Sequence, residues 1–256
     1  VKKVTSTVKF TTPAAAEGEK TVSGKVEVVF EFNASDLKNH TVVAFEKMWR
    51  NGLGTDVLMW QHENYNDKAQ TVYFPEGKTT INDKYTDNHI TSEVVNKEIP
   101  DVTLVDHVYY SNLLPGKEYT VNGTLMEKEI DKETGESTSK PLVDKDGKKV
   151  TASTTFTAPK AKEGEDTVSG VVDVTFTFKG GSYLAGKTLV AFETCQYNGK
   201  DVFVHEKIDD APQTTYVPDG HTTFVDNVTK DHITGITEKM SLTDTVHYEN
   251  LKSGET

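Results

Sequence analysis

Hydrophobic and polar residues alternate along much of this chain, with the period of two that is typical of a half-buried β-strand. In KVEVVFEF, residues 25–32, every second side chain on one face is apolar: Val26, Val28, Phe30 and Phe32. Segment 171–178, VVDVTFTF, has the same alternation. Long stretches with apolar residues at helical spacing are missing, and NG, DG and PG turn signals separate the short runs. The pattern predicts an all-β fold, with a strand at 25–32 and sandwiches of two antiparallel sheets.

An internal repeat runs along the chain, out of phase with its ends. EGEKTVSGKVEVVFEF (17–32) recurs as EGEDTVSGVVDVTFTF (163–178), and TVVAFE (41–46) recurs as TLVAFE (188–193). The offset drifts along the chain, as expected when loops differ in length. We predict tandem domains: the C-terminal part of a first unit at 1–75, a complete unit at 76–218, and the N-terminal strands of a following unit at 219–256.

Composition narrows the function. The 256 residues carry a formal net charge of -12, which argues against nucleic acid or an anionic membrane as a partner. No apolar run is long enough for a membrane span, and the first residues lack the apolar core of a signal peptide. We interpret the chain as a soluble portion of a longer precursor. Cys195 is the only cysteine, so no intrachain disulfide and no thiol-based zinc site can form. We expect neither a metal ion nor a cofactor.

Two segments hold a His and a Gln eight residues apart: HENYNDKAQT (62–71) and HEKIDDAPQT (205–214). A continuous strand would separate the two side chains by roughly 26 Å. The Asn-Asp and Asp-Asp pairs between them favour turns, so the chain can fold back and bring His and Gln together. A His beside a carboxamide suggests acyl chemistry, in which the His moves a proton and the amide carbon accepts a nucleophile. Spacing alone also fits a surface His and a hydrogen-bonding Gln in a repeated hairpin.

Weaker signals have structural alternatives. Trp49 and Trp60 are candidates for a sugar-binding platform, or for core or edge packing. Cys195, next to Gln196, suggests a thioester, but a lone Cys beside an apolar strand usually packs in the core. The polar segment 128–149 is interpreted as a long hairpin or a surface loop.

The motifs in their order resemble the VaFE repeats of Gram-positive surface proteins, which are Ig-like domains with intramolecular Thr-Gln ester bonds. The motifs are TVVAFE and TLVAFE, H-E-x-x-[ND]-D-x-x-Q, VDHVYYSNL, TDTVHYENL and PGKEYTVNGTLM. The resemblance covers essentially the whole chain. The resemblance implies Ig-like β-sandwich domains in tandem. It also implies that a Thr on the first strand attacks a Gln on the last strand, releasing ammonia and leaving an ester, with a His and acidic residues assisting.

Carried over by motif, the nucleophile of the complete unit is Thr79, the first Thr of KTTIND, with Thr80 as the alternative. The acceptor is Gln213. The assisting residues are His205, Glu193 and Asp106. We hypothesise that the two acids form a pair with one raised pKa, so that a protonated carboxyl donates to the Gln oxygen. The residue after Asp106 is His107, where the other copy has Thr245, and this departure puts the surroundings of Asp106 in question.

The ends of the chain hold complementary parts of a second site. The first unit retains Glu46, His62 and Gln70, whereas Thr222 and Asp244 lie near the other end. Either structure outside this sequence completes the first unit, or a strand from another copy completes it. The second alternative predicts head-to-tail self-association with a Thr222–Gln70 cross-link.

The resemblance implies a structural stalk module of a bacterial adhesin, extracellular at the cell surface and anchored to the cell wall in the parent protein. Such a module makes its cross-link once and is not a turnover enzyme, and any host-cell ligand is met through the full-length adhesin. One alternative is a ligand-binding β-sandwich that recognises host glycan or protein through Trp49 or Trp60. Another is a hydrolase or transglutaminase-like enzyme, but the sequence has neither a nucleophile elbow nor a catalytic Cys with its His partner.

Overall fold

The structure is a computed structural model that describes residues 3–51, 55–91 and 101–254. Apart from four 3-10 turns, its regular structure is entirely β, which confirms the all-β prediction. The chain divides into two compact units, Val1–Lys38 and Asn39–Thr256. The strands in the described residues are β1 (Thr41–Val43), β2 (Glu46–Asn51), β3 (Asp56–His62), β4 (Thr71–Tyr73), β5 (Glu76–Asp83), β6 (Asp101–Leu113), β7 (Glu118–Ile130), β8 (Ser137–Pro141), β9 (Thr151–Thr157), β10 (Val168–Lys179), β11 (Thr188–Tyr197), β12 (Lys200–His205), β13 (Thr214–Tyr216), β14 (Asp219–Asp226) and β15 (Leu242–Glu249). The 3-10 turns are Ser35–Leu37, Lys68–Gln70, Ser182–Leu184 and Ala211–Gln213.

The strand predicted at 25–32 is wrong: the described residues 3–38 contain no strand. Its counterpart in the repeat is β10, which is a strand because it pairs along its length with β6. The second copy of the β6 sequence is β15, and β15 pairs with β14 instead. Alternation gives a segment two faces, but its backbone N–H and C=O groups still need a neighbouring strand.

Two sheets face each other in the complete unit. One has the strand order β10-β6-β5, and the other has the order β12-β11-β7-β8, with β13 paired to β11 and β9 paired to β7. Apolar side chains from both sheets, such as Leu104, Val121 and Phe176, form one buried core. A Cβ on Gly123 would lie 2.6 Å from the Phe176 ring, so glycine allows the close approach of the sheets there. The sandwich prediction is confirmed.

The segment 128–149 forms a long hairpin, which is one of the two structures predicted for it. The end of β7 pairs with β8, and an isolated bridge joins Val143 to Lys149 beyond it. The partial units contribute three further two-stranded antiparallel sheets: β1-β4, β2-β3 and β14-β15.

Candidate cross-linking site

Three strands contribute a buried polar side chain to one site among apolar neighbours: Thr79 in β5, Asp106 in β6 and Glu193 in β11. The pairing of β5 with β6 sets Ile81 opposite Asp106, so the Thr79 position is diagonal to Asp106 on the same face. Glu193 comes from the facing sheet. The Thr79 hydroxyl donates to Glu193 Oε2 at 3.4 Å across the interior.

Thr79 and Thr80 therefore have different surroundings. Thr79 is 3% exposed, and its hydroxyl is directed at Glu193. Thr80 is opposite His107 in the β5–β6 pairing and lies on the other face of the sheet. The structure places Thr79 within the site and Thr80 outside it; the role of Thr79 as the nucleophile stays a prediction.

Gln213 reaches the same carboxyl from the end of the 3-10 turn that precedes β13. Its backbone N–H donates to the carbonyl of Asp210 at 3.1 Å, which fixes the turn. The side chain is fully buried, and its Nε2 donates to Glu193 Oε2. One carboxyl oxygen thus accepts from both the Thr79 hydroxyl and the Gln213 amide. The carboxamide oxygen of Gln213 is buried and has no hydrogen-bond donor among the described residues.

His205 lies directly opposite Glu193 in the β11–β12 pairing. Its Nε2 is 2.8 Å from Oδ2 of Asp210, the residue that begins the turn toward Gln213. From the sequence, Asp210 was predicted only to favour a turn, and its contact with His205 was missed. The signal was present, because an Asp follows the His by five residues in both copies, and His62 Nε2 is likewise 2.8 Å from Asp67 Oδ2. A carboxylate that holds an imidazole fixes its orientation and tautomer.

The two buried acids have raised pKa values. Burial raises the pKa of Asp106 to about 6, although hydrogen bonding with Glu193 and the nearby charge of His107 oppose that rise. Burial, followed by the negative charge of Asp106, raises the pKa of Glu193 well above its usual range. The raised pKa values favour one shared proton on the pair near neutral pH. This distribution supplies one acid and one base within the same site.

His107 does not enter the site. Its Nδ1 lies 2.7 Å from Oδ1 of Asp173 on the neighbouring strand β10. Adjacent residues of a strand face opposite sides, so Asp106 remains directed inward. The departure from the family pattern thus leaves the position of Asp106 unchanged.

The first partial unit brings its three predicted residues together. Glu46 lies opposite His62 in the β2–β3 pairing. With its amide nitrogen turned toward Glu46, Gln70 donates to the two carboxyl oxygens at 3.2 and 3.1 Å. All three side chains are half-buried.

The other two predicted residues are elsewhere. Thr222 and Asp244 lie on β14 and β15, where they are exposed. In the described part of the chain, no hydrogen bond or strand pairing joins them to the three residues of the first partial unit.

The remaining candidates have structural surroundings. Burial raises the pKa of the Cys195 thiol to about 12, so this thiol is neutral and packs in the core. Trp60 corresponds to the buried Phe203, whereas Trp49 corresponds to Gln196, whose side chain bonds Asp201 at the surface. The two Trp side chains therefore do not share one platform.

Within residues 3–51, 55–91 and 101–254, no group of three or more His, Cys, Asp or Glu side chains is placed to hold a metal ion. The same residues include no helix with the length and apolar character needed to cross a membrane.

A buried Thr and a buried Gln thus meet at one carboxyl between the two sheets of a β-sandwich domain. The family described as T-Q ester bond containing domain matches the chain over residues 1–74, 75–217 and 219–256. The chain belongs to this family. Comparison with curated proteins finds no match.

Two solved structures are similar to part of the chain. Both are of a bacterial adhesin from Mobiluncus mulieris containing intramolecular disulfide, isopeptide and ester bond cross-links, in space groups P21 and P1. The first has 17% identity and a TM-score of 0.40, and the match covers 55% of this chain and 56% of that one. The second has 14% identity and a TM-score of 0.41, with 68% and 76% covered. The chain thus spans little more than half the length of the first structure.

Proposed function

We propose that the complete unit forms an ester between Thr79 Oγ1 and the side-chain carbonyl carbon of Gln213, once per chain, with release of ammonia. The observation that carries the proposal is the shared Glu193 oxygen, which accepts from the Thr79 hydroxyl and the Gln213 amide in a buried site. Membership in the T-Q ester bond family supports the same pair of residue types.

The first step needs a base, because a Thr hydroxyl is a poor nucleophile until its proton is accepted. Asp106 is the base: it lies diagonal to Thr79 on the same buried face of the β5–β6 pair, and its carboxyl is ionised above about pH 6. The Thr79 oxygen attacks the carboxamide carbon as Asp106 takes the hydroxyl proton. Rotation of the Gln213 amide directs its oxygen at protonated Glu193, which donates to the oxyanion of the tetrahedral intermediate.

The second step breaks the carbon–nitrogen bond. The proton that Asp106 took from the Thr79 hydroxyl is passed through His205, which Asp210 holds in place, to the leaving nitrogen, and ammonia departs. Since the proton lost by the Thr hydroxyl is balanced by the proton gained by the nitrogen, the chain loses one ammonia and nothing else. Thr79 and Gln213 are both consumed, so the reaction runs once and there is no catalytic turnover.

Burial protects the product. Thr79, Glu193 and Gln213 are each at most 3% exposed, so water has little access to the new ester. The same low-polarity surroundings strengthen the hydrogen bond from Glu193 to the oxyanion.

We further propose that the unit is a stalk module of a bacterial surface adhesin whose parent protein is anchored to the cell wall. The bond joins β5 to the turn before β13, so a pulling force crosses the domain through the covalent bond without unzipping the strands between them. The covalent link also substitutes for a disulfide, which a chain with a single Cys cannot form internally. In this proposal, the full-length adhesin makes any contact with a host-cell ligand.

Intact mass of the denatured protein tests the cross-link. The wild-type chain should be short by one ammonia, Thr79→Ala should have the full mass, and Thr80→Ala should behave as wild type. Full mass for all three proteins would overturn the proposal and favour a ligand-binding domain. Asp106→Asn and Glu193→Gln should each slow the loss of ammonia; formation at the wild-type rate in either variant would reject that residue's assigned role.

A further inference from the structure

Two short linkers join successive repeats along the chain. Residues 74–75, Phe-Pro, connect β4 to β5, and residues 217–218, Val-Pro, connect β13 to β14. The family match divides the chain at the same places, since its segments end at residues 74 and 217. Proline fixes its own φ and restricts the residue before it, so each linker has little backbone freedom.

The residue before each linker proline is also held by the preceding repeat. The backbone N–H of Phe74 donates to the carbonyl of His40 at 2.9 Å. In the same way, the backbone N–H of Val217 donates to the carbonyl of Lys187 at 2.9 Å. His40 and Lys187 directly precede the repeated segments TVVAFE and TLVAFE, so the two bonds are equivalent.

At the first junction, Asn112 of the complete unit reaches back to this linker from the end of β6. Its Nδ2 donates to the carbonyls of His40 and Phe74 at 2.9 and 3.3 Å. Its Oδ1 accepts from the Thr167 hydroxyl at 3.0 Å, which turns Nδ2 toward the preceding repeat. The backbone φ of Asn112 is 63°, a left-handed conformation that Asn adopts more readily than most residues.

The second junction has the same arrangement. Asn250 occupies the position of Asn112 in the repeat, because TDTVHYENL matches VDHVYYSNL, and its φ is 59°. Its Nδ2 donates to the carbonyls of Gly186 and Val217 at 3.1 Å each. The linker carbonyl is therefore bound at both junctions, and the second acceptor differs by one residue along the turn.

The turn that receives the asparagine is matched to the strand beside it. A Cβ on Gly186 would lie 2.9 Å from Oε1 of Glu249, so the Glu249 side chain uses the space that glycine leaves. At the first junction Asn39 takes the place of Gly186, and the shorter Ser111 takes the place of Glu249. Both turn residues have a positive φ, 57° and 73°. A larger residue on one side thus goes with a smaller residue on the other.

An ion pair between Lys68 and Asp166 also crosses the first junction. The residue at the position of Lys68 in the complete unit is Ala211, which cannot form such a pair. Exposed ion pairs also contribute little to stability. The asparagine contacts are therefore the feature that the two junctions share.

We propose that Asn112 and Asn250 form an inter-repeat clasp, by which each repeat docks on the repeat before it and fixes the orientation between the two. The partner surface is the end of the preceding repeat, where the turn before β1 or β11 meets the X-Pro linker. All four acceptors are main-chain carbonyls, so the clasp recognises the backbone fold of its partner and not its side chains. Any repeat with the same turn and linker should be accepted as the neighbour.

Hydrogen exchange at the linker amides tests the clasp. Asn112→Asp keeps the shape of the side chain but has no N–H to donate to a carbonyl. Loss of the two bonds should raise the exchange rate of the Phe74 amide by roughly 5- to 30-fold. Asn250→Asp should have the same effect on the Val217 amide. Each variant should leave the linker of the other junction unchanged.

Two further sets of variants serve as controls. Asn227→Asp makes the same chemical change at an amide that donates to Ser241 inside the β14–β15 hairpin, and it should leave both linkers unchanged. Asn112→Gly and Asn250→Gly remove the amide without adding a charge, and glycine tolerates the left-handed φ. They should behave like the aspartate variants.

Distances between paired spin labels measure the orientation of the repeats. Labels on Gln61→Cys and Thr177→Cys span the first junction, and a label on Thr245→Cys replaces the first of these to span the second. The three positions are exposed, whereas Cys195 is buried and escapes labelling. We expect a narrow distance distribution across each junction, which widens only where the asparagine of that junction has been replaced.

Two results would overturn the clasp. One is unchanged linker exchange, or an unchanged distance distribution, in both the aspartate and the glycine variants. The other is an effect of aspartate that glycine does not reproduce, because repulsion by the new charge would then be its cause. The clasp needs no covalent bond, so Thr79→Ala should give the same exchange rates and distances. Failure of the proposed ester is seen separately, in the intact mass.

Discussion

Removing the Thr79 hydroxyl while keeping the shape of the side chain should show what the ester does for stability. In Thr79→Val, one methyl group replaces the hydroxyl that donates to Glu193. The substitution blocks the bond and creates almost no cavity. Thr79→Ser is the matched control, because it retains the hydroxyl and should still form the ester.

The magnitude follows from the loop that the bond closes. Thr79 and Gln213 are separated by about 134 residues, and the entropy of closing such a loop in the unfolded chain corresponds to roughly 5 kcal/mol. A domain of this size unfolds with an entropy of about 0.3 kcal/mol/K, so its Tm should fall by about 15 °C without the bond.

Calorimetry on proteins of verified mass measures this difference, and urea unfolding supplies an independent check. The cross-linked protein should also have a smaller urea m-value, since its unfolded state exposes less surface. The reasoning is refuted if Thr79→Val lacks the bond yet unfolds within about 3 °C of Thr79→Ser, because loop closure would then contribute little.

Four further predictions test other parts of the structure. In force spectroscopy, Thr79→Val pulled from its ends should extend by about 450 Å more contour length on unfolding than the wild-type unit, whose cross-link keeps that segment closed. Equal lengths for the two proteins would contradict the stalk proposal. In the Thr79→Val background, the pKa of the Asp106 carboxyl is raised from 3.8 to about 6 in the folded state. This group therefore stabilises the folded state below about pH 4, and that stabilisation is lost as the pH rises through 6. Urea unfolding at pH 4.5 and 7.5 should therefore differ by about 2 kcal/mol from this group, and adding Asp106→Asn should remove the difference. Gly77→Ala should destabilise the complete unit by about 1–3 kcal/mol, because its Cβ would overlap the Phe203 ring; unchanged urea unfolding would show that the ring moves aside. Asn112→Ala should lower the free energy of opening of the first partial unit, measured by hydrogen exchange, by about 1–2 kcal/mol. The reason is that the Asn112 amide donates to two carbonyls of that unit at 2.9 and 3.3 Å. Unchanged protection would show that those bonds contribute nothing.

Alternation along the chain predicts the strands, whereas the site residues Asp106 and Glu193 were predicted from the resemblance to the VaFE repeats. The choice between Thr79 and Thr80 was beyond that reasoning, because adjacent hydroxyls face opposite sides and only the pairing of β5 with β6 fixes which side is inward.

The strand predicted at 25–32 failed for a related reason. Its pattern is as regular as that of β10, but a strand also needs a partner, and pairing depends on residues far away in the chain. Asp210 was missed because one residue has two roles: its backbone fixes the turn before Gln213, and its carboxylate holds His205. A turn-forming residue type gave no reason to look for the second role.

The acceptor half of the site forms without the strand that carries the nucleophile. In the first partial unit, Glu46 faces His62, His62 contacts Asp67 at 2.8 Å, and Gln70 reaches Glu46, all within one hairpin and the turn after it. The side chains there are only half-buried, so water still has access. The first two strands of a complete unit, β5 and β6, therefore bring three things: the hydroxyl, the second carboxylate and the exclusion of water. Because the proposed reaction needs all three, we expect the ester to form only after those strands have docked in register. Such a bond locks a fold that is already correct and does not trap a misfolded one.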